Sequence, residues 1–437
     1  MSCNITLREV AEFQKGFAFK SKDYTSKGVK IIKVSNLTDD SVDISQCVCV
    51  ENDIADKYKD KYNLKTNDIV ITTVGSWPTN PASVVGKVIR VPKYADNTLL
   101  NQNAVRLRSN SLINQNYMYY LLKDKSFKEY IIGTAQGSAN QASITQEDIK
   151  NFEFILPSLE EQEKIAKILS SLDDKIELNN EMNKTLEEMA QSIFKRWFVD
   201  FEFPNEDGMP YKSSGGEMVE SELGMIPKGW EVKTIEEIST TVSKGTTPTK
   251  KDMDSAEDEN NINFIKVKDI DDYGEICLDN LEKIPESVHN GKLKRSILYE
   301  KDILFSIAGT IGRVTAIDKT LNNSNMNQAI AFIRLKDCRN MFNFIFYLLK
   351  SEKTQNDIKS NIVQAVQANV SLGVLKAIKF VQPSKEILDK YNNIAMNIYD
   401  KQQNIRYENN DLKIIRDNLL PKLMSGEIIL DKKIIIY

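Results

Sequence analysis

The chain has 437 residues, enough for two or three domains of ordinary size, and 41% of them are hydrophobic, so it can bury conventional cores. Its 58 Lys and Arg against 62 Asp and Glu leave a net charge of −4, which excludes a protein that coats DNA by overall positive charge and confines nucleic-acid binding to local patches. Five cysteines without a CxxC spacing, one histidine, a polar N-terminus and no long apolar run argue against a disulfide scaffold, histidine chemistry, export and membrane spanning, and suggest the cytoplasm.

Residues 1–156 read as a first β-rich domain. "NDIVITTVG" (67–75) is a short β-branched run closed by glycine, and "ASVVGKVIRV" follows as a strand after a turn. "NYMYYLLKDKSFKEYII" (116–132) is helical, with its aromatic residues turned to the core. Residues 157–198 form a long helix in which Ile165, Leu169, Leu172, Ile176, Leu186, Ala190, Ile193 and Trp197 make one apolar seam, interrupted by Asn179 and Asn183.

Residues 199–227, rich in Gly, Pro and Ser, read as a linker. A second β-rich domain spans 228–382, with "KDILFSIAG" (301–309) and "GRVTAI" as strands and "MFNFIFYLLKSEKTQNDIK" (341–359) as helix. Residues 383–420 repeat the long helix, with a seam of Ile387, Tyr391, Ile394, Ile398, Ile405, Leu412, Ile415 and Leu419 and polar breaks at Lys401 and Glu408; residues 421–437 form a tail. Each long helix is expected to run about 35–40 residues, or about 55–60 Å.

The two halves say nearly the same thing. "QKGFAF" (14–19) is echoed by "SKGTTP" (243–248), "IIKVSNL" (31–37) by "FIKVKDI" (264–270), "NDIVITTVGSW" (67–77) by "KDILFSIAGTI" (301–311), and "NQNAVRLR" (101–108) by "NQAIAFIR" (327–334). The offsets drift through 229 and 233, as loop insertions would make them. From Pro157 on Pro383 the offset holds at 226 through the helix. A long helix tolerates no insertion, because one added residue rotates every later side chain by about 100°. The short linker favours an antiparallel helix pair with a domain near each end, a two-fold pseudo-symmetric dumbbell.

Catalytic motifs are missing. His289 and the cysteines do not cluster as metal ligands, "GTIGRV" lacks the Lys-Ser/Thr end of a P-loop, and no GxGxxG follows a strand. The carboxylates of "SLDDK" (171–175) read as a solvated helix face and those of "DMDSAEDE" (252–259) as an acidic loop, with His289 on a surface loop. Residues 1–155 hold 20 basic and 17 acidic residues, whereas 156–205 hold 6 and 11, so the negative charge sits in the first helix and linker. Both domains are free to present basic faces, through Lys15, Lys20, Lys22, Lys27 and Lys30 in the first and Lys244, Lys250 and Lys251 in the second.

The duplicated plan of domain plus long helix, together with "LPSLEEQEKIAKILSSLDDKIELNN" (156–180), "IFKRWFVDFE" (193–202) and "LLPKLMSGEI" (419–428), resembles the DNA-specificity subunit of type I restriction-modification enzymes over nearly the whole chain. "VQPSKEILDKY" departs from "LPSLEEQEKI" in lacking the Glu-Gln pair.

The resemblance implies an α+β protein of two pseudo-repeated, β-rich target-recognition domains joined by two long antiparallel coiled-coil helices. It implies a non-catalytic subunit, each domain reading one half of a gapped sequence in double-stranded DNA while the helices act as a ruler. It also implies two methyltransferase subunits as partners, joined in the full complex by restriction and translocase subunits. This chain would carry no cofactor; S-adenosylmethionine, ATP and Mg would belong to those partners.

Base reading needs amide, hydroxyl or cationic side chains on loops. The candidates are Lys20, Lys22, Ser76, Asn80, Gln136 and Gln141 in the first domain, and Thr246, Thr247, Lys250, Thr310, Arg313, Gln364 and Gln367 in the second. Asn179, Met182, Asn183 and Met189 are candidates for meeting the methyltransferase subunits. The competing reading is a scaffold that joins proteins without reading DNA, and salt-sensitive, sequence-selective binding separates the two.

Overall fold

The runs "IVIT" and "ILFS" become fully buried strands, Ile69–Thr72 and Ile303–Ser306, each inside a four-stranded antiparallel sheet. The structure is a computed structural model that describes residues 3–38, 41–45, 47–77, 84–138, 141–271, 274–278, 281–363 and 369–430. It divides into two units, Met1–Asn179 with Tyr407–Tyr437, and Asn180–Arg406. Each unit holds one β-domain and a stretch of both long helices.

The two domains repeat one topology. In the first, the sheet order is Ala11–Lys15, Ala104–Ser109, Ile69–Thr72, Val88–Arg90; in the second it is Ser239–Lys244, Ile330–Leu335, Ile303–Ser306, Val314–Ala316. The register is kept too, with Ile69 opposite Leu107 and Ile303 opposite Ile333. A mixed three-stranded sheet lies beside each, centred on Val29–Ile32 and on Asn260–Ile265. The strands Cys3–Thr6 and Glu153–Leu156 pair where the first domain meets its long helix, as do Glu231–Thr234 and Lys379–Gln382 in the second. The helical segments expected at 116–132 and 341–359 are each broken once. Asp124 separates Gln115–Lys123 from Lys125–Thr134, and Ser351 separates Cys338–Lys350 from Glu352–Val363.

One polar device recurs at the same place in both sheets. Arg108 grips Asp68 with Nε and Nη2 at 2.6 and 2.8 Å, and Arg334 grips Asp302 at 2.8 and 2.6 Å. Each aspartate also accepts a backbone N–H, from Lys65 and Tyr299 respectively. Asp68 and Asp302 are 4% and 2% exposed, so each clamp ties the central strand to its neighbour inside the protein. The preceding Asn67 and Lys301 both adopt positive φ, 68° and 67°, which repeats even a strained backbone feature.

The long helices run Leu159–Phe194 and Lys385–Met424 and pair antiparallel in each unit. In the first unit Asp173 meets Arg416 at 2.9 Å, and Asn179 donates to Glu408 and Asn409 at 2.8 and 2.9 Å. In the second, Gln402 donates to the Asn183 carbonyl at 3.4 Å and to Glu187 at 3.3 Å. Phe194, Trp197 and Phe198 close on Tyr391 at the helix end, where Lys195–Val199 forms a π-helical turn. The α+β arrangement of two pseudo-repeated β-rich domains joined by two long antiparallel helices is the fold of this chain.

Several local expectations change. Ile394 and Ile415 are exposed, and the seam instead runs through Tyr391, Ala395, Ile398, Ile405 and Asn409. Hydrophobicity favours isoleucine over alanine at this step, but helix packing selects the small side chain, which lets the partner approach. Asp173 is not solvated: Tyr120 donates to it at 2.6 Å, and burial together with this carboxylate pushes the Tyr120 hydroxyl well above its usual range.

His289 is fully buried in the short helix Glu286–Asn290, where Asn323 and Asn325 each lie 3.2 Å from a ring nitrogen. Asp252 is held down to about 2 by Lys292 and Thr249. The stretch 199–227 carries its own hairpin, Met218–Ser221 with Gly224–Pro227, and stacks Phe203 between Tyr211 and Trp230.

Replacing Arg334 with alanine strands the Asp302 carboxylate inside the protein and should lower stability by about 3 kcal/mol in urea denaturation of the full chain, with R108A behaving alike. Losses below about 0.5 kcal/mol would show that the clamps are incidental.

Candidate nucleic-acid interface

The four strands of each main sheet have two ends of different character. At one end, Leu7–Val10 leads straight from the strand beside the long helix into Ala11. At the other, the first domain gathers the segment after Lys15, the turn 101–103 before Ala104, and the connection after Thr72, because Lys15 pairs with Val105 and Thr72 with Ala104. In the second domain the same end gathers the segments after Lys244 and Ser306 and the turn 327–329.

Crowding at this end explains a repeated glycine. A Cβ on Gly16 would lie 2.0 Å from the Asn101 carbonyl oxygen, and one on Gly245 would lie 2.2 Å from that of Met326. The glycine lets each chain cross the neighbouring turn and carry its polar segment over the sheet end.

Most of the sequence candidates that the structure describes gather here. Lys20 and Lys22 are exposed around the short 3-10 turn Ser21–Asp23. Gln136 and Gln141 are exposed on the hairpin Gln136–Ser138 with Gln141–Ser143, which adds to Val74–Gly75. Trp77 donates its indole N–H to the Ser138 carbonyl at 2.7 Å and ties this ribbon down. Ser76, beside it, is buried, and its carbonyl accepts the Val85 N–H. Asn80 lies outside the described residues.

In the second domain Thr246 and Thr247 are exposed, the first bonded through its N–H to Met326 and the second through its hydroxyl to Gln328. Lys250 is exposed in the first turn of Lys250–Asp254, which Thr249 caps. Thr310 is exposed, and its carbonyl accepts the Ser306 hydroxyl at 2.6 Å. Arg313 is half-buried and its guanidinium reaches the carbonyls of Val267 and Ile270, which holds the adjacent turn in place. Gln364 and Gln367 lie outside the described residues.

The arrangement offers cationic, hydroxyl and amide groups on exposed loops, with a two-stranded ribbon in the first domain. Such a ribbon fits the major groove, and such groups suit phosphates and base edges. Among the described residues no group of His, Cys, Asp and Glu could hold a metal ion, and no helix is long and apolar enough to cross a membrane.

The sequence matches the type I restriction modification DNA specificity domain twice, over residues 3–188 and 227–413. The chain belongs to this family. The two matches each take in a β-domain and much of a long helix. The type I restriction enzyme HindI specificity subunit of Haemophilus influenzae is 28% identical over 398 residues, covering 78% of this chain and 84% of that protein. The MjaIX specificity subunit of Methanocaldococcus jannaschii is 30% identical over 319 residues, covering 71% and 68%. A crystal structure of a type I restriction-modification S subunit from M. genitalium shares the fold over 97% of this chain and 96% of that one, with a TM-score of 0.53 at 18% identity.

The candidates for partner contact divide. Asn179 is buried between the helices and Asn183 is half-buried, with its amide 3.4 Å from Glu275, whereas Met182 and Met189 are exposed. Sequence reasoning missed Phe17, which stacks on Tyr58 at 4.2 Å and packs beside Tyr62 near the lysine loop. The signal was there in "KGF", an aromatic directly after the crossing glycine.

Replacing Arg313 with alanine should cost about 1–3 kcal/mol, because the Ile270 carbonyl loses its guanidinium donor and the Val267 carbonyl keeps only the Ile270 N–H. T246A and T247A should stay within about 0.5 kcal/mol of the parent. Thermal unfolding of the three variants checks the division between a residue that holds neighbouring backbone in place and residues whose side chains are exposed.

Proposed function

We propose that this chain is the sequence-reading, non-catalytic subunit of a type I restriction-modification complex. Each β-domain reads one half of a gapped, two-part sequence in double-stranded DNA, and the helix pair sets the gap. The observation that carries this reading is the duplication itself: one sheet topology occurs twice, each copy gathering polar loops at the same sheet end, within a family of DNA-specificity domains. B-DNA advances about 3.4 Å per base pair along each strand, so two domains on a stiff rod would touch segments a fixed number of pairs apart.

In this reading the first domain uses Gln136 and Gln141 on its ribbon with Lys20 and Lys22 on the neighbouring loop. The second uses Thr246, Thr247, Lys250 and Thr310, while Arg313 holds the turn 267–270 in place. Amides suit adenine and lysines suit guanine or phosphate. Asn80, Gln364 and Gln367 remain candidates by residue type.

The chemistry belongs to partners. Two methyltransferase subunits would bring S-adenosylmethionine and modify adenine, and restriction and translocase subunits would bring ATP and Mg where they join. Met182, Met189, Ile394 and Ile415 are large apolar side chains left exposed on the long helices, which supports these helices as the surface for partner subunits.

Methylation sequencing of a host without other adenine methyltransferases, expressing this chain beside its methyltransferase, tests the reading. A two-part, gapped adenine motif should appear only with the chain present. Q136A with Q141A should relax the bases of one half and leave the other unchanged. Methylation without sequence preference, or loss of preference in both halves from that one pair, would contradict it.

A further inference from the structure

The long helices start alike in the two copies, but the space beside the start is filled differently. In the first copy Ser158 donates from its N–H and hydroxyl to Glu161 at 3.0 and 2.8 Å. Gln162, fully buried, fills the space behind. Its Oε1 accepts the Asn114 N–H at 2.8 Å, and its Nε2 donates to the carbonyls of Pro157 and Leu112 at 2.9 and 3.3 Å. The offset of 226 puts Ile387 on Glu161 and Leu388 on Gln162, so the second copy has neither carboxylate nor amide. There a cavity of about 730 Å³ opens, within the size range of small-molecule sites.

Three lysines line this cavity: Lys233, Lys336 and Lys385. Each replaces a neutral residue of the first copy, Ile5, Asn110 and Leu159 by the offsets of 228 and 226. The equivalence is structural as well. Ile5 pairs with Phe154 as Lys233 pairs with Phe380. Asn110 donates to the Glu9 carbonyl at 2.8 Å as Lys336 donates to the Glu237 carbonyl at 2.6 Å. The first copy carries neutral side chains at these three places, and the second carries lysine at all three around this one cavity.

Two carboxylates, Glu237 and Asp337, share the rim with the lysines, and Glu237 lies within electrostatic reach of Lys233 and Lys336. Glu237 accepts the N–H and hydroxyl of Thr234 at 2.7 and 2.8 Å, and Asp337 accepts from Asn340 at 3.2 and 2.7 Å. Lys233 pairs with Glu231 at 3.0 Å. The Lys385 ammonium has no hydrogen-bond or ion-pair partner among the described residues. The rest of the lining is mainly apolar, with Ile238, Met341, Pro383 and Leu388, and carries two amides, Asn340 and Gln382.

We propose that this cavity binds a phosphate-bearing ligand of roughly mononucleotide size. Ammonium groups arriving from two strand ends and a helix start can close on a multiply charged tetrahedral anion, each lysine meeting the phosphate as a point charge. The apolar side chains would cover a ring, and the Gln382 amide would meet its polar edge. The phosphate can come from a free nucleotide or from the backbone of bound DNA.

Calorimetric titration of the full chain with AMP, and separately with a short random-sequence duplex, tests the proposal and distinguishes the two sources. The comparison is K233I/K336N/K385L, which installs the side chains that the first copy carries at these places, and the single exposed change K385L guards against misfolding of the triple variant. AMP should bind the parent and bind the triple variant about tenfold or more weakly, with K385L intermediate. If AMP does not bind but the duplex weakens with the same lysine dependence, the phosphate is that of the DNA backbone. Affinities for both ligands that are the same in parent and variants would overturn the proposal. The AMP arm is independent of sequence reading, so its failure leaves the proposed function untouched.

Discussion

The pairing of two helices, 36 and 40 residues long, is the constraint on which the rest of this chain depends. An unbroken helix fixes the angular position of every side chain by its count of residues, so a residue added in the middle would turn one part of the seam out of contact. The seam is polar in places, and those places settle the register. Asn179 reaches Asn409 and Glu408 in one unit, and Gln402 reaches Asn183 and Glu187 in the other. Sliding either helix by a turn would bury these amides against apolar side chains at a cost of about 1–3 kcal/mol each. Buried amides trade stability for a single alignment.

The domains carry no such restriction, and the two copies show where variation is allowed. The Arg–Asp clamp, the left-handed residue before the central strand and the crossing glycine are kept in both. The connection after the central strand is eight residues longer in the first copy, as the change of offset from 234 to 226 records. Beside the mixed sheet, the first copy stacks Phe17 on Tyr58, whereas the second buries His289, Asn325 and Ser296 in a hydrogen-bonded group. A frame held by buried clamps can vary at its loops without changing how it folds.

Much of this was legible in the sequence. The duplication, the strands around "IVIT" and "ILFS" and the two long helices rest on periodicity and repetition, which survive without knowledge of neighbours. The exposure of Ile394 and the burial of Ala395 did not, because helix spacing admits both and only the facing side chains choose. Asp173 and His289 carried no sign of burial, since the residues that satisfy them, Tyr120 and Arg416 for one and Asn323 and Asn325 for the other, are distant in sequence. Among the candidate site residues, type and loop position identified exposed Gln136, Gln141, Thr246 and Thr247. They did not foresee that Ser76 is buried or that Arg313 is occupied by backbone carbonyls.

The central claim is that helix length sets the distance between the two half-sites. Inserting seven residues after Asn179 and seven before Tyr407 keeps the seam in phase and lengthens the pair by about 10 Å, which corresponds to about three base pairs. Methylation sequencing of a host carrying this variant with its methyltransferase should return both half-sites unchanged and a spacer about three base pairs longer. An active variant with the original spacer would contradict the account.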